Sequence, residues 1–242
     1  MSLWRRGRVG ALRGTDVPSL TVENYLKAIY LIANRRQEAE SVATGELAQA
    51  LSVSPGTVTG MLKTLSEADL ATYTPYEGAR LTPSGRGLAL KVLRRHRLLE
   101  LFLAQTLRMT WDEVHEEAEH MEHAASDRLI DRIDDFLGHP AVDPHGDPIP
   151  RPDGSLTEPP GMPLTQLARG ARFRVVRVVD QDPAFLRYLT ECGLDLGAEG
   201  ELLENRPEAG ILAFRLRDRH AALGIDAAGK ILVARPADEA AS

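Results

Sequence analysis

Apolar positions divide the chain into segments of different period. From Thr21 to Arg35, Leu26, Ile29, Tyr30 and Ala33 form a one-sided stripe, which predicts an amphipathic helix. Thr21 is its expected N-cap, with Glu23 and Asn24 in the first turn. Between Val42 and Leu65 the pattern predicts a short helix over Thr44 to Leu51 and a turn at Ser52-Val53-Ser54. A second helix follows, capped by Ser54 with Pro55 in its first position. Val53, Val58, Met61, Leu62 and Leu65 are spaced to pack inward. Two β-prone runs within Ala71 to Thr82 flank Glu77-Gly78, the signature of a hairpin. Leu88, Val92, Leu99, Phe102 and Leu103 predict a long helix from Gly85 to about Leu107, capped by Ser84 or Thr82. One further helix is expected from Thr110 to Leu137, because no Gly or Pro interrupts it before Gly138.

The period then changes. Residues 139–162 are dense in Pro and Gly and read as a stiff linker, with His145 and Asp147 as turn residues rather than ligands. Beyond Pro163, strands are expected at Arg172 to Val179, Glu201 to Asn205, Gly210 to Leu216, Ala222 to Ile225 and Lys230 to Val233. One helix, Pro183 to Cys192, lies among them. The expected fold class is mainly α with a small β domain: an N-terminal winged helix-turn-helix over 19–84, a helical domain over 85–138, and an SH3-like β-barrel over 163–236. Residues 1–18 and 237–242 read as tails.

The outward face of the second helix is small and polar: Ser54, Gly56, Thr57, Thr59 and Gly60, then Lys63. Such a surface can approach a major groove closely, and hydroxyls and backbone N–H groups suit phosphates and base edges. Arg80 on the hairpin is a candidate phosphate contact. The bland alternative is an ordinary helical hairpin. Composition constrains this reading. The net charge of −6 argues against a globally basic nucleic-acid binder but allows one small basic face. The basic stretch Lys91, Arg94, Arg95 and Arg97 reads as a solvated helix face. A single cysteine, Cys192, rules out an internal disulfide framework and a Cys-rich zinc module, and it fits a reducing cytoplasm. No apolar run approaches the ~18 residues of a membrane span. The start, with Arg5, Arg6, Arg8 and Arg13, has no apolar core behind it and is not a secretory signal. It reads as a disordered tail, with a DNA-backbone arm as the alternative.

The stretch from Val114 to His123 carries the richest chemistry. At ~100° per residue, His115, Glu119, Glu122 and His123 fall on about one helical face. His96 and Glu100 sit one turn apart on the preceding helix. These residues offer only nitrogen and oxygen donors, which suit Mn²⁺ or Fe²⁺ rather than thiolate-selected metals. The alternative is a merely solvated Glu/His-rich helix. The adjacent amphipathic helices also suggest a homodimer.

These features together resemble the diphtheria toxin repressor and manganese transport regulator family. The resemblance rests on the winged helix, His96-Arg97-Leu98-x-Glu100, Val114-His115-x-Glu117-Ala118 through Glu122-His123, Asp143-Pro144-His145-Gly146-Asp147-Pro148-Ile149-Pro150, and the small β domain. It spans roughly Ser19 to Arg235. It implies a dimeric, metal-dependent repressor of metal-uptake genes that binds palindromic operators, with two metal sites per subunit and Mn²⁺ (or Fe²⁺) as the ion. His96, Glu100 and His115 correspond to one metal position; Glu119, Glu122 and His123 correspond to the other, with Asn24 from the first helix. Glu119 stands where the iron-sensing branch has Cys, as in the manganese branch. The resemblance also implies that the β domain can supply acidic or amide ligands, for which Asp180, Gln181 and Asp182 are candidates. Ser54, Pro55, Thr57 and Thr59 correspond to DNA contacts, and Gly60 stands where the iron branch has a longer base-reading side chain. Two rival readings remain at this level. One is a metalloenzyme using the His/Glu cluster for hydrolysis, which would need an open coordination position and a base. The other is a winged-helix regulator that answers a small organic ligand.

Overall fold

The structure is a computed structural model that describes residues 20–35 and 41–236. The arginine-rich start and residues 237–242 lie outside the described residues. The described chain divides after Val92 into two compact units.

In the N-terminal unit, α1 (Leu20–Arg35), α2 (Thr44–Ala50) and α3 (Pro55–Glu67) precede the hairpin of β1 (Ala71–Thr74) and β2 (Gly78–Leu81). The apolar stripe of α1 is its buried face, with Leu26 and Ile29 almost fully enclosed. Leu47, Val58, Leu62 and Leu65 close the core beneath α3. Ser54 caps α3 by accepting the Thr57 N–H at 3.2 Å, and Pro55 follows where no N–H is needed. The hairpin pairs Ala71 with Leu81 and Thr74 with Gly78. Ala79 also exchanges two backbone hydrogen bonds with Val42, at 2.8 and 2.9 Å, which pins the wing at its root. Gly78 is required there: its φ is +97°, and a Cβ would sit 2.5 Å from the Val42 carbonyl oxygen. The long helix α4 (Pro83–Leu107) begins in this unit. Its cap is Thr82, which accepts the Gly85 N–H at 3.1 Å.

The second unit holds the rest of α4, then α5 (Val114–Glu122) and α6 (Asp127–Phe136). The single helix expected from Thr110 to Leu137 is therefore two. Turns occupy Trp111 to Glu113, where the Glu113 carboxylate accepts the Thr110 N–H at 3.0 Å. A second break follows His123, and Ser126 restarts the helix by accepting the Leu129 N–H at 3.3 Å. A serine side chain that satisfies a backbone donor competes with continued helix, so no Gly or Pro is needed for the break. On α6, Ile130 and Ile133 are buried, whereas Leu129 and Phe136 stay exposed. Among the described residues, that leaves an apolar face uncovered.

Two further expectations change. Arg94 and Arg97 are not on a solvated face; both are buried. Arg94 donates to Asp134 at 2.9 Å and to the Pro150 carbonyl at 3.2 Å. Arg97 donates to the Pro148 carbonyl, and its guanidinium lies 3.6 Å from Asp143 and 3.7 Å from Asp147. The partners of both arginines lie far along the chain, which is why helical spacing could not reveal them. The stretch read as a linker is correspondingly not a free spacer over its first half. Asp143 and residues 145–150 are buried, and His145 is wholly so. Gly146 makes this possible. Its φ is +85°, and an added Cβ would lie 2.1 Å from the Val176 carbonyl oxygen.

The C-terminal portion is an SH3-like barrel. Its strands are β3 (Met162–Pro163), β4 (Arg172–Val178), β5 (Glu199–Arg206), β6 (Ile211–Leu216), β7 (Arg219–Gly224) and β8 (Ile231–Ala234), with α7 (Pro183–Cys192) and α8 (Ile225–Gly229) between them. They pair antiparallel in the order β3-β8-β4-β5-β6-β7. Phe173, Leu186, Leu202, Phe214 and Ile231 fill its core. The two-residue β3 and the short α8 carry too little pattern to be read from the sequence. No helix among the described residues is long and apolar enough to cross a membrane.

Candidate metal centre and DNA-binding face

Glu100 is the hub of the second unit. It is 1% exposed, on the face of α4 that also carries His96. Its Oε1 lies 2.9 Å from His96 Nε2 and 3.0 Å from His115 Nδ1, and those two nitrogens are 3.1 Å apart. The three donors thus form a near-equilateral triangle. An octahedral ion bonded at about 2.1 Å holds adjacent donors about 3.0 Å apart, so this triangle has the dimensions of one octahedral face. The second nitrogen of His96, Nδ1, is 2.7 Å from Glu122 Oε2. Each ring nitrogen of His96 thus faces a carboxylate, Nε2 toward Glu100 and Nδ1 toward Glu122. This is the arrangement by which outer carboxylates orient metal-bound imidazoles.

The other oxygen of Glu100 faces a second group. His145 Nδ1 lies 3.9 Å from Glu100 Oε2 and 3.9 Å from Asp143 Oδ1. His145 Nε2 donates to the Trp111 carbonyl at 2.7 Å, which leaves the Nδ1 lone pair directed toward the carboxylates. Among the described residues, the trios His96–Glu100–His115 and Glu100–Asp143–His145 are the groups whose donor atoms converge closely enough to hold an ion. Sequence reasoning missed Asp143 and His145. Their stretch carried the family resemblance, but its Pro and Gly content reads as turn chemistry, which gives these two side chains no ligand role.

Electrostatics favour a cation here. Burial raises the Glu100 carboxyl, but the charge of His96 and hydrogen bonds from His115 and His96 outweigh it, holding Glu100 well below the usual carboxylate range. Asp143 moves the opposite way. Burial, then the charges of Glu100 and Asp147, push it well above the usual range, and Arg97 offsets this only in part. Buried carboxylates crowded around one imidazole and lacking full neutralisation are what a divalent ion relieves.

The remaining sequence-predicted ligands are placed less closely together. Glu122 and His123 are adjacent, at 3.2 Å. Glu119 is half-exposed and 3.7 Å from His115. Asn24 is on α1, in the N-terminal unit, and partly buried. Asp180 pairs with Lys230 at 2.6 Å, and Asp182 caps α7 by accepting the Phe185 N–H at 3.0 Å. Neither belongs to a converging trio. Gln181 donates to Asp147 at 2.7 Å.

On α3, Ser54, Pro55, Thr57, Gly60 and Lys63 are exposed and Thr59 is half-buried; Arg80 on β2 is exposed. Three hydroxyls are already engaged locally. Ser54 and Thr57 are 2.9 Å apart, and Thr59 donates to the Pro55 carbonyl at 3.0 Å. A Cβ on Gly60 would meet nothing within 4 Å among the described residues, so none of these requires a glycine there.

Comparison with known proteins matches these parts in order. Residues 19–79 match the iron dependent repressor N-terminal DNA binding domain, residues 82–151 the iron dependent repressor metal binding and dimerisation domain, and residues 162–235 the FeoA domain. The iron-dependent repressor IdeR of Mycobacterium leprae is 31% identical over 163 residues, covering 64% of this chain and 70% of that protein. The transcriptional regulator MntR of Geobacillus kaustophilus is 33% identical over 121 residues, 50% of this chain and 83% of that protein. Among solved structures, a manganese-dependent transcriptional repressor in complex with manganese superposes with a TM-score of 0.80 at 39% identity. The match covers 89% of this chain and all of that one. The N-terminal DNA-binding domain, the Glu100-centred donor groups and the FeoA barrel leave one assignment: the chain belongs to the diphtheria toxin repressor and manganese transport regulator family of dimeric, divalent-metal-dependent DNA-binding transcriptional regulators, and it is not an enzyme.

Proposed function

We propose that this protein is a Mn²⁺-responsive repressor of metal-uptake genes, acting in the cytoplasm as a homodimer on palindromic operators. The observation that carries the metal choice is the donor set. His96, Glu100, His115, Glu119, Glu122, His123, Asp143 and His145 supply nitrogen and oxygen only, and Cys192 is far along the chain on α7. Mn²⁺ is at the weak end of the divalent affinity order, so it is held by several hard donors rather than by one soft one. Two ions per subunit are proposed. One is held by His96, Glu100 and His115 or by Glu100, Asp143 and His145, which share a carboxylate; the other is held by Glu119, Glu122 and His123. Ser54, Pro55, Thr57 and Thr59 are the proposed major-groove contacts, with Lys63 and Arg80 on phosphates. Metal binding would favour the dimer conformer whose two α3 helices match major-groove turns ~34 Å apart.

The test is a gel shift of the full chain on operator fragments, with Mn²⁺, with Fe²⁺ under anaerobic conditions, and with chelator. Retardation is expected with Mn²⁺ and lost with chelator. Equal affinity in all three arms would end the co-repressor reading. Retardation with Fe²⁺ at lower concentration than Mn²⁺ would support the second reading, an iron-dependent repressor, which the relatives named IdeR also favour.

A further inference from the structure

The turn before α5 connects the metal centre to the FeoA barrel in a way that the proposed function leaves unused. Trp111 faces two directions. Its carbonyl accepts the His145 Nε2 hydrogen at 2.7 Å, and its indole is stacked near the imidazole, with centroids 6.2 Å apart and planes 14° from parallel. On the other side its ring packs against the barrel core. There the indole N–H donates to Thr190 Oγ1 on α7 at 3.0 Å, and Thr190 in turn donates to Asp195 at 2.9 Å. The neighbouring Asp112 accepts from Arg187, also on α7, at 3.0 Å. Two consecutive residues of the turn are therefore held by one barrel helix. The carbonyl between those anchors determines which nitrogen of His145 faces Glu100 and Asp143.

Such outer contacts set the tautomer and orientation of a ligating imidazole, and losing one typically costs 10–100-fold in metal affinity. We propose that Trp111 is a positioning residue for His145 and that Thr190 anchors it. By this route the FeoA barrel would tune metal affinity at the Glu100–Asp143–His145 group without donating a ligand. This rests on reading that group as a metal site. It also gives the barrel a role that Asp180 and Asp182, engaged with Lys230 and the α7 cap, do not supply.

The experiment is calorimetric titration of the full chain with Mn²⁺, comparing wild type with Thr190→Val, Thr190→Ser, Trp111→Phe and His145→Ala. Valine keeps the volume of threonine and removes the acceptor; phenylalanine keeps an aromatic ring and removes the donor. Both should weaken one class of Mn²⁺ site by about tenfold and leave the other class unchanged. Thr190→Ser should restore wild-type affinity, which a loss of packing alone would not predict. In Thr190→Val, Mn²⁺ quenching of indole fluorescence, with Trp111→Phe giving the Trp4 background, should follow the weakened class. Wild-type titrations for both Thr190→Val and Trp111→Phe, alongside loss of a class in His145→Ala, would overturn the positioning role and leave the metal site standing. Retention of every class in His145→Ala would overturn the site itself and the inference with it.

Discussion

The candidate donors on α5 and those in the 143–148 turn reach the proposed metal centre by different means. On α5, helical spacing alone presents His115, Glu119, Glu122 and His123 on nearby faces, and the helix needs no distant partner to do so. Exposure varies widely along it, from a fully enclosed Glu122 side chain to a half-exposed Glu119. In the turn, Asp143 Oδ1 accepts the N–H groups of His145 at 2.8 Å and Asp147 at 3.0 Å, but holding the turn against Glu100 takes distant partners. That geometry depends on Arg97 from α4, on Arg177 of β4 at 2.5 Å from Asp147, on Gln181, and on the Val178 N–H that holds the His145 carbonyl at 2.8 Å. A helix presents chemistry through its period, whereas a turn presents it only when tertiary partners fix the backbone. The turn should therefore be the more fragile of the two.

Three substitutions bear on that contrast, in order of decreasing effect. Gly146→Ala should be the most damaging, because a Cβ would enter the Val176 carbonyl and the backbone is left-handed. A loss of about 4 kcal/mol in urea unfolding is expected, at the exceptional end for one substitution. A loss below about 1 kcal/mol would show that the turn is not clamped as described. Glu100→Gln comes next. The side chain serves both trios, so Mn²⁺ affinity should fall by on the order of 100-fold, about 2.7 kcal/mol, with the Glu119–Glu122–His123 class least affected. Unchanged affinity in every class would remove Glu100 from the centre.

The smallest effect expected is at Asp134, which holds α6 to α4 through Arg94 and also lies 3.0 Å from His139. Burial raises its carboxyl, but hydrogen bonds from His139 and Arg94, and their charges, outweigh that and lower it below the usual value. A carboxyl lowered in the folded state stabilises above its unfolded pKa of about 3.9, and that stabilisation is lost as the pH falls through the folded value. Asp134→Asn should cost about 1–2 kcal/mol at pH 7, with the gap from wild type closing as the pH drops below about 4. A gap that stays constant down to the acid limit of folding would mean that the carboxylate charge contributes nothing there.

How much could be read in advance follows the same division. The helix-turn-helix was legible because Ser54, Pro55 and the Val58–Leu62–Leu65 stripe are local signals, and each is used as its chemistry suggests. His96, Glu100 and His115 were legible as metal-site candidates because two helical periods and the family resemblance point to the same residues. The break between α5 and α6 was not, because a Ser126 cap in mid-sequence resembles any other serine. Arg94 and Arg97 looked like a solvated basic face because their partners, Asp134, Asp143, Asp147 and the Pro148 and Pro150 carbonyls, lie some forty to fifty-six positions away.

Local order thus set the elements, the order of the domains, the small polar outward face of α3 and the sulfur-free set of candidate donors on the helices, since all of these depend on residues within a few turns of one another. Tertiary packing decided that the apparent linker turns inward, that Glu100 faces two groups of donors, that Asp143 and His145 join it, and that Asp180 and Asp182 are occupied elsewhere. Those outcomes depend on which distant groups neutralise a buried charge or satisfy a buried polar atom, and the spacing of residues along a chain carries no record of that choice.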